Sequence, residues 1–153
     1  KGLKSRIVGM VHSTMADSFE KVIETAHQVC IGSERDDEVR SVDHLLEIAA
    51  QQHQAVTGVA GTIDAVREHR PLTLYYAEGL KLAGKICVEC GAVYGTDKAA
   101  PCPSCGSHLE ESEDLIDQLL VVTLNCGARI EQVRGAAAKK LRNVGGIGAV
   151  LRY

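Results

Sequence analysis

CVECGAVYGTDKAAPCPSC, Cys87 to Cys105, holds four of the chain's six cysteines within 19 residues. The spacing is Cys87-x2-Cys90-x11-Cys102-x2-Cys105. A Cys-x2-Cys pair on a tight turn presents both sulfurs on one side of the backbone, and Gly91 and Gly106 directly follow the two pairs. Two such knuckles facing each other supply four thiolates in a tetrahedron, the arrangement of structural Zn²⁺. The middle spacing is slightly shorter than that of the commonest zinc ribbons. Four thiolates leave no open position for water, so the zinc expected here is structural and not catalytic. Iron fits the same tetrahedron. Disulfides fit less well, because they need an oxidising compartment and nothing marks the chain as secreted. A redox pair fits less well too, because Cys-x2-Cys of that kind opens a helix, whereas here two pairs sit among turn residues. His108, close behind Cys105, is left out of the ligand set because four cysteines complete the shell. Cys30 and Cys126 lie on apolar helix faces and read as buried small hydrophobes.

Outward from this segment, helical and extended patterns alternate. RIVGMVH (6–12) is apolar and β-branched and predicts a strand. Asp17 with Glu20 resembles a capping box, and apolar residues at helical spacing follow as far as Cys30. Ser33 with Asp36 repeats the start signal, so a second helix is predicted to about Gln52. Its first turn carries the acids of ERDDE (34–38), which favour a helix N-terminus. A glycine turn and a short helix near 62–69 precede a strand at PLTLYYAEG (71–79). A helix is predicted over 112–127, stopped by Gly127. ARIEQVR is read as a strand, GAAAKKLRN as a short helix, and IGAVLRY as a last strand. Alternation of this kind argues an α/β domain with a mixed or parallel sheet and helices on its faces. The cysteine segment interrupts it between a strand and a helix, so it reads as an insertion at about 86–107. It is too small to make its own core, and a metal supplies its folding free energy.

The chain has 153 residues, enough for one domain with a small insertion, and no Trp. With aromatics at 3%, the core must be aliphatic. No apolar run approaches the roughly 20 residues that span a bilayer, so no membrane partner is expected. The N-terminal KGLKSRIVGM lacks the apolar run and cleavage site of a signal peptide, which leads us to expect a cytoplasmic protein. Its first residue is Lys and not Met, so we expect a fragment, with room upstream for a targeting segment or a whole domain. Residues 128–153 carry six basic groups and one acid, Glu131, a charge of +5 against −8 for the remainder. Arg134, Lys139, Lys140 and Arg142 are the candidate nucleic-acid contacts: Lys139 and Arg142 share a helix face, Lys140 flanks them, and Arg134 precedes the helix. Arg129 and Arg152 complete the basic set. A solvated helix face accounts for the same residues.

Signals of catalysis are lacking. The six histidines show no His-Glu-x-x-His spacing, and no Gly-x-Ser-x-Gly or phosphate-binding loop is present. GGIG (145–148) precedes a predicted strand, whereas a phosphate cradle precedes a helix. The acid pairs adjoin helix starts. No enzyme activity and no small-molecule substrate are expected.

HQAVTGVAGTIDAVREHRPLTLYYAEGL, then CVECG, CPSCG, NCGARIEQV and the C-terminal VGGIGAVLRY, resemble the third domain of the class I peptide-chain release factors of archaea and eukaryotes. The likeness is nearest to their bacterial and archaeal relatives. It covers residues 35–153, and GGIGAVLRY is its most specific part. Residues 1–34 then read as an N-terminal strand and helix, the end of a preceding domain or an addition to this one. The resemblance implies a mixed sheet flanked by helices, similar to the ribosomal proteins that bind kink-turn RNA. It also implies that Cys87, Cys90, Cys102 and Cys105 match the metal ligands of a small zinc-bearing subdomain. The setting it implies is translation termination or ribosome rescue, with the ribosome or ribosomal RNA as partner and a translational GTPase recruited. Release factors hydrolyse peptidyl-tRNA with a Gly-Gly-Gln loop that this chain lacks, so the implied function is a non-catalytic, zinc-stabilised binding module. The alternative is a zinc-stapled protein–protein adaptor that makes no RNA contact and docks through its knob and its acidic helix 34–52.

Overall fold

The computed structural model describes residues 7–51, 54–98 and 100–153. A long helix α1 (Phe19–Ala50) leads into β1 (Ala55–Thr57), α2 (Val59–Arg67) and β2 (Pro71–Ala77). A small three-stranded sheet follows, formed by β3 (Gly84–Cys87), β4 (Val93–Tyr94) and β5 (Leu109–Ser112). The chain returns through α3 (Ile116–Asn125), β6 (Arg129–Val133), α4 (Gly135–Arg142) and β7 (Ile147–Leu151). The main sheet has the order β1-β7-β2-β6. Within it, β2 runs parallel to β6 and antiparallel to β7, and β7 runs antiparallel to β1. This is the mixed sheet that the alternation and the resemblance led us to expect.

Helices cover both faces of that sheet. The alternation of β2 sends Tyr75 and Ala77 to a cluster with Val42 and Leu45 of α1, Val133 of β6, and Ala137, Ala138 and Leu141 of α4. It sends Leu74 and Tyr76 to the opposite cluster, with Ile63 and Val66 of α2, Leu119 of α3 and Ile147 of β7. A strand buried on both faces must be apolar nearly throughout, and PLTLYYA satisfies that. Gly148 explains part of the C-terminal motif. A Cβ there would lie 2.9 Å from the Val56 carbonyl oxygen and 3.0 Å from Leu45 Cδ2, so β7 reaches its place between β1 and β2 only with glycine at this point.

Three expectations are corrected. Residues 7–12 form no strand; Gly9 instead packs so closely on Val29 of α1 that a side chain there would overlap it. An apolar, β-branched run becomes a strand only where a neighbouring strand can pair with it. Arg6, which begins that stretch, and Gln52, where a helix end was expected, lie outside the described residues. The two helices predicted before residue 52 are one, continuous through Gly32 and Ser33. A single mid-helix glycine costs only about 1 kcal/mol relative to alanine, and Glu34 and Arg35, good helix formers, follow within three residues. The cap is Ser18, whose Oγ accepts from the Lys21 amide at 3.3 Å, while Asp17 closes the preceding turn by accepting from the Thr14 amide at 2.7 Å. The helix expected from 112 starts at Ile116, because Leu109–Ser112 pairs with β3 as β5. Asp114, one residue before the cap position Leu115, accepts from the Ile116 amide at 3.1 Å and so meets one of the free amides at the start of α3.

Among the described residues no helix is long and apolar enough to cross a membrane. Residues 34 and 35, where the sequence likeness begins, fall inside α1 with no break.

Candidate metal centre

The β2–α3 connection carries the cysteines on two knuckles of matching geometry. In the first, the Gly91 amide donates to the Cys87 carbonyl at 3.0 Å and the Cys87 amide donates to Ala92 at 2.9 Å. In the second, the Gly106 amide donates to Cys102 at 2.8 Å and the Cys102 amide donates to Ser107 at 2.8 Å. Both turns need a left-handed residue just after the second cysteine: Gly91 has φ 69° and Gly106 has φ 79°. Side chains other than glycine rarely adopt that region. These hydrogen bonds fix each pair of sulfurs on one side of its turn, and the β3–β5 ladder sets the two turns face to face.

All four sulfurs lie within 4.8 Å of one another. Cys87 and Cys105 Sγ are 3.4 Å apart, and Cys90 and Cys102 Sγ are 3.8 Å apart, each contact crossing between knuckles. A tetrahedron with metal–sulfur bonds of about 2.3 Å has edges of about 3.8 Å, so the donor set fits a tetrahedral ion. None of the six cysteines is in a disulfide. Cys87 and Cys102 are buried, while Cys90 and Cys105 face solvent.

The thiols differ in acidity. Burial pushes Cys102 up, but the Tyr94 hydroxyl and the backbone amides of Cys105 and Ser104 outweigh it and bring the thiol down to about 6. Hydrogen bonds from the Ser107 side chain and amide, the first of several causes, lower Cys105. Cys90 accepts a stabilising hydrogen bond from the Ala92 amide, yet the neighbouring sulfurs and burial push it up to about 12. A cation among the four would reverse that mutual disfavour, since metal binding displaces thiol protons.

Tyr94, Ser104, Ser107 and Arg67 belong to this centre, and spacing alone does not reveal them. The one available signal is that Tyr94 is the only aromatic residue inside the cysteine segment. The knob also has a small core of its own, which the sequence analysis denied it: Cys87, Tyr94, Cys102 and Leu109 are buried together. Val93 reaches further, into the cluster of Leu74, Val66 and Leu115.

The structure places the other candidates as follows. Lys140 Nζ sits 2.5 Å from Asp43 Oδ1 on α1, and Arg134 Nε sits 3.3 Å from Glu78 Oε1. Arg142 donates to the Glu78 carbonyl at 2.5 Å, and Arg152 to the carbonyls of Pro71 and Cys126. Among the described residues, Lys139 and Arg129 form no ion pair. Arg134 and Arg142 therefore meet at Glu78, just past the C-terminal end of β2, whereas Arg129, in register with Thr73, and Arg152, at Pro71, lie toward its other end, and part of the basic charge is already matched. Cys30 is exposed and Cys126 half-buried, so neither is the core residue that the apolar helix pattern suggested. The first half of α1 has no sheet beneath it, and Cys126 sits at the C-cap of α3 with its sulfur 3.2 Å from His69 Nδ1.

A mixed sheet with helices on both faces, and a four-thiol knob in the connection that leads back to it, define the class of fold. That fold is shared with proteins of known structure. The C-terminal domain of a peptide chain release factor from Methanosarcina mazei superposes with a TM-score of 0.62 at 20% identity, over 92% of this chain and 98% of that one. Pelota from Archaeoglobus fulgidus gives 0.60 at 19%, over 99% of this chain and 43% of that one. Archaeal Pelota in a ribosome-bound model with ABCE1 gives 0.55 at 14%, over 94% and 35%. The chain thus spans less than half of either Pelota. No family model matches the sequence, and no curated protein matches it. At these identities the likeness is one of fold, and it is the fold that the resemblance in the sequence implied.

Proposed function

We propose that this chain is a non-catalytic, zinc-stabilised binding module of a translation termination or ribosome rescue factor, acting in the cytoplasm on the ribosome or its RNA. The observation that carries the reading is the match in fold, nearly end to end, to the C-terminal domain of an archaeal release factor. The ribosome-bound state of archaeal Pelota supports the choice of partner. A translational GTPase is the second partner implied by the resemblance. In this reading residues 35–153 are the release-factor-like part, and residues 1–34 are either the end of a preceding domain or an addition to this one. Zinc is the ion we assign to Cys87, Cys90, Cys102 and Cys105, from their soft donor set and tetrahedral spacing. Arg134, Lys139, Lys140 and Arg142 are the proposed phosphate contacts.

Phosphate contacts are independent of sequence and sensitive to salt. Co-sedimentation of wild-type protein with ribosomes at two salt concentrations is expected to fall as salt rises. Lys139→Glu combined with Arg142→Glu is expected to weaken it further while leaving the thermal midpoint nearly unchanged. Binding that ignores both salt and the double substitution would favour the adaptor reading. Two observations already lean that way: the pairing of Lys140 with Asp43, and the exposure of Val88, Val121 and Leu124 beside the knob.

A further inference from the structure

Tyr94 of β4 is 1% exposed, so its hydroxyl must find partners inside the protein. It lies 2.8 Å from Ser104 Oγ and 3.3 Å from Cys102 Sγ. Its ring lies under the guanidinium of Arg67, 4.4 Å from the carbon of that group to the ring centroid. Arg67 does not belong to the knob. It is the last residue of α2, on the face of the main sheet, and it pairs with Asp64 one turn earlier at 3.2 Å.

The four sulfurs are not in equivalent surroundings. Cys90 and Cys105 face solvent, where water can donate to a thiolate. Cys102 is 2% exposed, so a charge on its sulfur must be met by protein donors. Tyr94 is the side chain placed to do so. If Ser104 donates to the tyrosine oxygen, the phenolic hydrogen is left for the sulfur. Partners of this outer kind orient metal ligands and commonly change affinity by about 10–100-fold. Pairing of Tyr94 with Lys85 in the β3–β4 ladder fixes the backbone from which the hydroxyl reaches.

We propose that Tyr94 is a positioning residue of the metal centre, donating to the Cys102 thiolate, and that Arg67 clamps its ring and so ties the four-thiol site to helix α2. The proposal rests on the reading of these cysteines as a metal site. Coupling between two sites is reciprocal. Ion binding therefore tightens the seat of the knob on α2, and loosening that seat weakens ion binding.

The test uses the whole chain with zinc and with cobalt(II). Zinc affinity is measured by competition with a chromophoric chelator, and the cobalt form reports its thiolate-to-metal charge-transfer band. Tyr94→Phe keeps the ring and its stack on Arg67 but removes the donor. It is expected to weaken zinc binding by about 10-fold or more and to move the cobalt band to lower energy. Replacing Tyr94 by 3-fluorotyrosine keeps every contact and strengthens the donor, so the band should move to higher energy; this holds as a test even if the phenylalanine variant does not fold. Ser104→Ala leaves the phenol free to donate to sulfur and should retain wild-type affinity. Arg67→Met keeps the packed stem without the cation and should weaken zinc binding less than Tyr94→Phe does. Wild-type affinity and an unmoved band in Tyr94→Phe, or an unmoved band in the fluorotyrosine protein, would overturn the proposal. A wild-type protein that gives no four-thiolate cobalt spectrum would instead remove the metal site itself, a different result read from a different sample.

Discussion

The two sheets of this chain solve the same burial problem by different means. The four-stranded sheet is covered on both faces by helices, and Leu74, Val66, Leu119 and Leu141 at its interfaces are almost wholly buried. The three-stranded sheet has no helix of its own, and the cluster inside it consists of Tyr94, Leu109 and two sulfurs. Burying a leucine contributes about 2 kcal/mol, so the large sheet can stand on packing alone. The small one cannot, because below about 40 residues a fold needs a staple. With an ion on the four thiols, as proposed, the contrast is one of means: where apolar area runs out, coordination would replace it.

Metal removal should give the largest effect, since structural zinc contributes roughly 10–16 kcal/mol in apparent free energy. Chelation is expected to abolish amide protection across 87–107 while β2, β6 and β7 keep theirs, read by hydrogen exchange. The Arg67 end of α2 should lose part of its protection with the knob. Equal loss in β2 would mean that the two sheets form one unit, and the comparison would break. Next in size, Leu74→Ala should lower global stability by about 2–5 kcal/mol in a urea titration. Leu109→Ala, by contrast, should act mainly on metal affinity and hardly on the urea midpoint of the main sheet.

Smaller again, Gly91→Ala or Gly106→Ala forces a β-carbon into a left-handed turn, at a cost of about 1–2 kcal/mol. Because the strain falls on a knuckle, it should appear as roughly tenfold weaker metal binding. The smallest effect expected is that of the Lys140–Asp43 pair. Both side chains are about half exposed, so a double-mutant cycle should give less than about 1 kcal/mol, and less still at high salt.

How legible was this in the sequence? The knuckles were, because two Cys-x2-Cys-Gly units dictate their own turns whatever surrounds them. The strands at 71–77 and 147–151 were legible too, since burial on two faces demands apolar runs; the edge strand at 129–133, mostly exposed, was legible only from its place in the alternation of helices and strands. The strands of the small sheet were not. LEES (109–112) carries two acids and reads as the start of the next helix, and only its pairing with Gly84–Cys87 makes it extended. Likewise, Ser33 and Asp36 form a helix-start signature inside a helix, and nothing local states that the chain does not turn there. The role of Tyr94 depends on a sulfur 8 residues on, a serine 10 residues on and an arginine 27 residues back in the chain. No spacing rule contains that.

The position of β7 has a consequence for the order in which this protein can be made. Its residues, 147–151, lie between β1 and β2, which otherwise have no bond to each other. A chain emerging from its own ribosome presents β1, β2 and β6 first, with only the β2–β6 pair able to form. Apolar faces meant for the centre of the sheet must wait until residue 151 has been synthesised and cleared the exit tunnel. The knob, whose cysteines and strands are all local, can bring its four thiols together, and close on the ion proposed for them, well before that. During synthesis the dependence on metal is thus inverted: the stapled part is the first to be safe from aggregation, and the self-sufficient sheet is the last.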